Sequence, residues 1–277
     1  MPDTTPVVVV TGGAGGIGEA AVRQFAQQGA RVVFGDLRHD KGAAIAAELG
    51  AHVRYQPADV RHEAEIERLI DTAIREFGTL DVMVNNAAAG GTAAPIEHIT
   101  AEGWDETLAL TLRSAVLGMK HAARRMGPAR GGAIVNVASI AGLQTGNGPH
   151  TYSAAKAAVI SLTRTTAMEL GERGIRVNCV CPGGVGTGIF GGIAGMPADM
   201  AERAGQAIAP LVSAGAALPT VCTPEDIAAA ICWLARPGGA FVNGHALVVD
   251  GGTTGGRKWS QSQAEGRQIM QALGQAA

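Results

Sequence analysis

The stretch PVVVVTGGAGGIGEAAVRQFAQQGARVVFGD, residues 6–36, constrains the fold more than any other part of the chain. Val7 to Val10 is a short run of β-branched apolar residues, as expected of a strand buried in a parallel sheet. A glycine-rich turn, TGGAGGIG at 11–18, follows it. Glu19 to Gln28 then predicts a helix stopped by Gly29, and Arg31 to Phe34 a second apolar strand leading to Asp36. Strand, glycine turn, helix and strand in that order make a βαβ unit. The glycines divide the work between them. Gly12 permits a tight turn, Gly16 lets backbone approach a pyrophosphate, and Gly18 lets the helix pack closely. Phosphates then face the N–H groups at the helix start. Asp36 lies 18 residues beyond Gly18, where a carboxylate accepts hydrogen bonds from ribose hydroxyls and repels a 2′-phosphate. Arg38 is the basic candidate nearby, and Asp36 should outweigh it. The expected cofactor is therefore NAD rather than NADP.

The pattern repeats downstream. Lys41 to Leu49 predicts a helix, His52 to Pro57 a strand leading into Asp59 and Val60, and Glu63 to Phe77 an amphipathic helix. Leu80 to Val84 predicts the next strand, ending in Asn85-Asn86-Ala87-Ala88. Asp59 and Asn86, both at strand ends, are adenine-side or backbone-ordering groups, or else turn residues. Long helices are predicted over Trp104 to Met126 and Thr151 to Gly171, strands over Ile175 to Cys181 and Ala246 to Val249, and a helix over Pro224 to Leu234. Strands and helices alternate without a break in composition. The expected fold class is α/β: one doubly wound parallel sheet spanning 1–256, followed by a tail at 257–277. Residues 184–223 are the exception, long and rich in Gly and Ala, and predict an irregular, mobile cover over a substrate. Its larger apolar groups are Phe190, Ile193, Met196 and Met200.

A second stretch, SIAGLQTGNGPHTYSAAK at 139–156, carries reactive groups. Ser139 follows the strand-like AIVNVA and so sits where open α/β sheets place their ligands. Tyr152 and Lys156 are four apart on a predicted helix, hence on one face. A phenol with a pKa of about 10 is a poor base at neutral pH, but a neighbouring ammonium favours the phenolate. Such a tyrosine exchanges a proton with an alcohol or ketone, while Ser139 holds the substrate oxygen. Alone, Y-x-x-x-K is a common accident; beside the glycine turn it acquires meaning.

Composition removes other classes. A net charge of −2 gives no electrostatic case for nucleic acid or an anionic membrane. No apolar run reaches the ~20 residues of a membrane span and no signal peptide is visible, so a cytoplasmic protein is expected. Cys179, Cys181, Cys222 and Cys232 have neither zinc-finger spacing nor a disulfide framework; Cys179 and Cys181 are expected to be buried free thiols, and no metal is expected.

Together, TGGAGGIG, Asp36, Asp59-Val60, NNAA at 85–88, Ser139, YSAAK at 152–156 and PGGVGT at 182–187 resemble the short-chain dehydrogenase/reductase family in its single-domain form, over roughly Val7 to Thr253. The resemblance implies that Tyr152 is the general acid/base, that Ser139 orients and polarises the substrate oxygen, and that Lys156 lowers the tyrosine pKa and holds the nicotinamide ribose. It implies cofactor contacts from Gly12, Gly16, Ile17 and Gly18, from Asp36 and Leu37, from Asp59 and Val60 around the adenine, from Asn86, and from Val185 and Thr187 at the carboxamide. It also implies a homodimer or homotetramer built on the two long helices. Two departures stand out. Ala88 replaces the usual glycine of NNAG, so an ordinary backbone φ is expected there. Thr111 replaces the usual asparagine, whose backbone carbonyl is credited with binding a water in a proton relay. Thr111 keeps a carbonyl, which predicts slowed or rerouted proton release rather than inactivity.

The expected activity is interconversion of a secondary alcohol and a ketone. GIFGGIAGM within the cover carries no charge, which favours an uncharged, apolar substrate such as an alicyclic, terpenoid or steroid compound. His150 is expected at the exposed start of its helix. The competing readings are an NAD-binding sensor or scaffold without turnover, an NAD(P)-dependent reductase working in the opposite direction, and an epimerase or dehydratase using bound NAD.

Overall fold

Val7–Thr11 forms β1, and all five of its residues are buried. The computed structural model describes residues 5–127 and 131–274; the ends of the predicted units, at 1–4 and 275–277, lie outside them. From β1 the chain enters α1 (Gly16–Gln27), β2 (Arg31–Asp36), α2 (His39–Leu49), β3 (Val53–Pro57), α3 (Glu63–Phe77) and β4 (Val82–Asn85). It continues through α4 (Ala101–Leu108), a π-helical turn (Ala109–Arg113), α5 (Ser114–Arg125), β5 (Gly132–Val137), α6 (His150–Gly171) and β6 (Ile175–Pro182). After three short helices, α7 (Gly188–Ile193), α8 (Ala198–Ala207) and α9 (Ala209–Val212), come α10 (Pro224–Ala235), β7 (Ala246–Val249) and α11 (Trp259–Ala272).

The strands form one seven-stranded parallel sheet in the order β3-β2-β1-β4-β5-β6-β7. Alternate residues of β1 serve opposite layers, because side chains reverse face at each step of a strand. Val8 and Val10 join Phe25 of α1 and Ile227 and Ile231 of α10. Val7 and Val9 join Ile66, Leu69 and Ile70 of α3, Met119 of α5 and Leu170 of α6. Each such fully buried side chain contributes about 1.5–3 kcal/mol. The chain reverses direction across the sheet after β3, returning to pair β4 with the other edge of β1. The loops leaving β1 and β4 therefore diverge and leave a crevice at the strands' carboxyl ends.

Local signals explain the boundaries. Gly78 ends α3 in the left-handed conformation at φ 82°. Thr223 and Asp226 form a reciprocal capping box at the start of α10, with Pro224 in its first turn. The predicted helix over Trp104 to Met126 begins earlier, at Ala101, because the Thr100 side chain accepts a hydrogen bond from the Gly103 N–H. It is also interrupted by the π-helical turn.

The cover departs from its predicted irregularity: α7, α8 and α9 lie within it. ADMAERAGQA is rich in strong helix formers, and its glycines serve close packing rather than disorder. A Cβ on Gly191 would lie 2.3 Å from the Ala201 Cα, and one on Gly205 would lie 2.1 Å from the Thr187 oxygen. The tail is a helix, α11, without a buried residue; Ile269 and Leu273 are exposed. Its approach is fixed to the cover by the Lys258 Nζ, which donates to the Ala214 carbonyl at 2.7 Å. Among the described residues no helix is long and apolar enough to cross a membrane.

Candidate active site

The glycine turn is locked from both sides. Gly12 and Gly16 sit at φ 65° and 51°, where a side chain would strain the backbone. Asn86, at the end of β4, donates from Nδ2 to the carbonyls of Thr11 and Gly12 at 3.0 Å each, so its side chain orders the turn. A Cβ on Gly18 would fall 2.0 Å from the Gly12 oxygen. Gly18 is thus buried packing beneath the turn and does not line the cleft, unlike Gly12, Gly16 and Ile17. No side chain caps α1 at Gly15, which leaves the positive end of the helix available to a phosphate.

Asp36 closes β2 beside this turn. Its carboxylate accepts from the Ala14 N–H and the Arg38 N–H, each at 3.0 Å, and pairs with Arg38 Nε at 3.2 Å. Burial pushes its pKa up, but the Arg38 hydrogen bonds and charge outweigh that and hold it below the usual carboxylate range. Leu37 projects from the same rim, 63% exposed. Asp59 and Val60 line the cleft at the next strand end. Hydrogen bonds from Arg61 lower the Asp59 pKa, and the two side chains approach to 2.6 Å.

Ser139 follows β5 by two residues and is nearly buried. Its Oγ accepts from the Ala141 N–H at 3.1 Å. The turn it begins lies hard against α6, since a Cβ on Gly142 would be 2.6 Å from the Lys156 carbonyl carbon. That packing brings Ser139 near the Tyr152 phenol, where its hydroxyl favours the phenolate. Lys156, 2% exposed, places Nζ 5.4 Å from the centroid of the Tyr152 ring. The predicted shared face is present, and both groups on it are buried. Burial pushes the Tyr152 phenol up to about 12, only partly countered by Ser139. Burial likewise pushes Lys156 down to about 8. The ammonium is anchored elsewhere, donating to the Val137 carbonyl at 2.6 Å. The free thiols of Cys179 and Cys181 are buried.

Val185 is buried, and the Thr187 methyl lies 3.1 Å from where a Gly16 Cβ would stand, joining the start of the cover to the glycine turn. Further out, Phe190, Ile193 and Met196 of the cover face the cleft, whereas Met200 is half exposed and does not line it. Gly90 meets Ile193, so the loop after β4 and the cover touch. The whole cleft has a volume of about 880 Å³, at the upper end of the ~300–1,000 Å³ usual for ligand sites. His150 begins α6 and is exposed, outside this cleft.

Thr111, expected to act in proton release through its carbonyl, uses its side chain to hold the loop after β4. It is 1% exposed, does not line the cleft, and lies in the π-helical turn. Its hydroxyl accepts from the Ala89 N–H and donates to the Ala89 carbonyl, both at 3.1 Å. One hydroxyl thereby satisfies both backbone groups of the loop beside the cleft, and Ala88 keeps an ordinary φ. Thr111→Val, of similar shape, strands both groups and is expected to cost about 1–3 kcal/mol. Thermal unfolding checks this; an unchanged midpoint would show that Ala89 finds other partners.

Sequence reasoning missed Glu202 on α8. Its carboxylate reaches across the cleft rim to Arg38 Nη1 at 3.1 Å and Lys41 Nζ at 2.7 Å. Nothing in the spacing signals it, since 164 and 161 residues separate the partners.

A family profile described as Enoyl-(Acyl carrier protein) reductase matches residues 12–254. Momilactone A synthase from Oryza sativa subsp. japonica is 42% identical over 248 residues, covering 89% of each chain. (+)-Borneol dehydrogenase 2 from Salvia officinalis is 39% identical over 253 residues, covering 90% of this chain and 89% of that protein. The crystal structure of levodione reductase superposes with a TM-score of 0.80 at 28% identity, covering 91% of this chain and 98% of the other. With the parallel sheet, the glycine turn and this extent of likeness, the chain belongs to the short-chain dehydrogenase/reductase family.

Proposed function

We propose that the protein is an NAD-dependent enzyme interconverting a secondary alcohol and a ketone on an uncharged, largely apolar ring compound, with Tyr152 as general acid/base. The observation that carries this reading is the convergence of Ser139, Tyr152 and Lys156 in the same cleft as the glycine turn and Asp36. The family works with a nicotinamide dinucleotide, and the residues here fit one. The turn admits no side chain at Gly18, the start of α1 is uncapped, and a carboxylate stands at the end of β2.

Gly12, Gly16 and Ile17 would hold the pyrophosphate, Asp36 and Leu37 the adenosine ribose, Asp59 and Val60 the adenine. Asn86 keeps the turn in shape. Lys156 would hold the nicotinamide ribose, and Val185 and Thr187 the carboxamide. Once bound, the nicotinamide takes up or gives the hydride. Ser139 holds the substrate oxygen by hydrogen bond. In the oxidative direction Tyr152, as phenolate, takes the hydroxyl proton; in the reductive direction, as phenol, it returns one. Gly148 lies beside the Tyr152 ring, and the cover residues that line the cleft, Phe190, Ile193 and Met196, are uncharged. A phosphate or carboxylate on the substrate would find no guanidinium clamp there. The names of the two plant relatives accord with ring-bearing compounds. Assembly as a homodimer or homotetramer through α5 and α6 accords with Val116 and Met168, exposed on those helices.

The test is reduction of NAD or NADP, followed by nicotinamide absorbance, with secondary alcohols from cyclohexanol through terpenols to hydroxysteroids. Turnover with NAD on ring alcohols is expected. Turnover confined to NADP, or to phosphorylated or carboxylated substrates, would overturn the cofactor or the substrate reading respectively.

A further inference from the structure

Five ionisable groups gather at the end of β2, and one of them comes from the cover. Arg38 pairs with Asp36 through Nε at 3.2 Å and with Glu202 through Nη1 at 3.1 Å. Lys41 pairs with Glu19 at 3.0 Å and with both Glu202 oxygens at 2.7 Å. The Arg38 guanidinium lies directly over Gly15, so close that a Cβ there would be 2.3 Å from Nη2. Its ion pairs thus place it at the mouth of the phosphate turn. The Glu202 side chain is 22% exposed, so it meets these cations in a partly dehydrated setting.

Charge decides what this cluster admits. Asp36, Glu19 and Glu202 face Arg38 and Lys41, and Glu19 is also paired with Arg23 at 2.9 Å. Without Glu202, Arg38 Nη1 would lose its partner and the Lys41 ammonium would keep only Glu19, which it shares with Arg23. A ribose 2′-phosphate carries about −1.5 to −2 charges and needs unengaged donors of this kind. We propose that Glu202, supplied by the substrate cover, is a specificity-determining residue for the dinucleotide. It occupies Arg38 and Lys41 so that neither can receive a 2′-phosphate. The proposal rests on the assignment of Asp36 to the adenosine ribose. It adds that Asp36 alone does not exclude NADP, since Arg38 stands beside it, and that exclusion needs the cover in place.

Isothermal titration calorimetry with NAD and with NADP tests this without turnover, on the wild-type chain, Glu202→Gln, Glu202→Ala and the double variant Glu202→Gln/Arg38→Ala. The wild-type chain should bind NAD more tightly. Both Glu202 substitutions should strengthen NADP binding about tenfold while NAD changes by less than about threefold, as expected when a like charge is removed and cations are released. The double variant should lose most of the gain. An unchanged NADP affinity would overturn the proposal. So would equal weakening of both dinucleotides, which would make Glu202 only a latch for the cover. A wild-type chain that prefers NADP would instead overturn the reading of Asp36 on which the proposal stands. Thermal midpoints of the variants separate these results from misfolding.

Discussion

Tyr152→Phe is expected to lower kcat for alcohol oxidation by about a hundred- to ten-thousandfold, the usual worth of a positioned acid/base. The substitution removes one oxygen and keeps the ring. The ring's packing beside Gly148 and its contact with the Lys156 ammonium at 5.4 Å from the centroid both survive. Ser139 also retains its bond from the Ala141 N–H at 3.1 Å, so the turn after β5 keeps its shape. The thermal midpoint and the dissociation constant for NAD should therefore stay close to those of the parent. Loss of turnover with both retained would assign the proton to the phenol. Turnover within a few-fold of the parent would mean that another group carries it.

Lys156→Met is expected to abolish useful turnover and, at neutral pH, to make the folded chain more stable by about 2–3 kcal/mol. Lys156 is 2% exposed, and burial pushes its pKa from 10.5 down to about 8. Its counter-groups are a carbonyl at 2.6 Å and the neighbouring thiols, not a carboxylate. Methionine fills a similar volume without the desolvated charge. The sign with pH follows from proton counting. Below pH 8 the lysine is protonated in both folded and unfolded chains, and the full cost of burying its charge is present. Between 8 and 10.5 the unfolded chain holds the proton and the folded chain does not, so the parent gains stability as pH rises. The advantage of the variant should accordingly be complete at pH 7 and fade across that window. At pH 7 it should appear as a midpoint raised by roughly 5 °C or more. A lowered midpoint at pH 7, or an advantage that persists unchanged to pH 10, would refute this account. The opposed effects on stability and turnover are those expected of a residue kept for its chemistry.

Asp36, Tyr152 and Lys156 show how far the sequence alone reaches. The βαβ unit is readable because its signals are local: a β-branched run at Val7 to Val10, glycines in a turn, and an acid at a strand end. Tyr152 and Lys156 are readable as neighbours because helical spacing needs no tertiary information. The alternation of elements then dictates a parallel sheet with helices on both faces, as observed. The cover reads as irregular chain because glycine weakens any local case for a helix. Gly191 and Gly205 are instead the points where helix and backbone touch, which depends on how the short helices of the cover fold onto one another.

Three features are decided only by the folded structure. The burial of Tyr152 and Lys156 is one, because it is a sum over all surrounding elements; it pushes the phenol up and the ammonium down. The place of Thr111 is another: a π-helical turn rotates its hydroxyl onto Ala89, and no local pattern announces that turn. The last is the ion pair of Glu202 with Arg38, formed across 164 residues because the cover folds back over the end of β2. Local signals fix which elements form and where chemistry-bearing side chains leave them. Dielectric environment and long-range charge pairing are set by what the completed fold packs around those side chains.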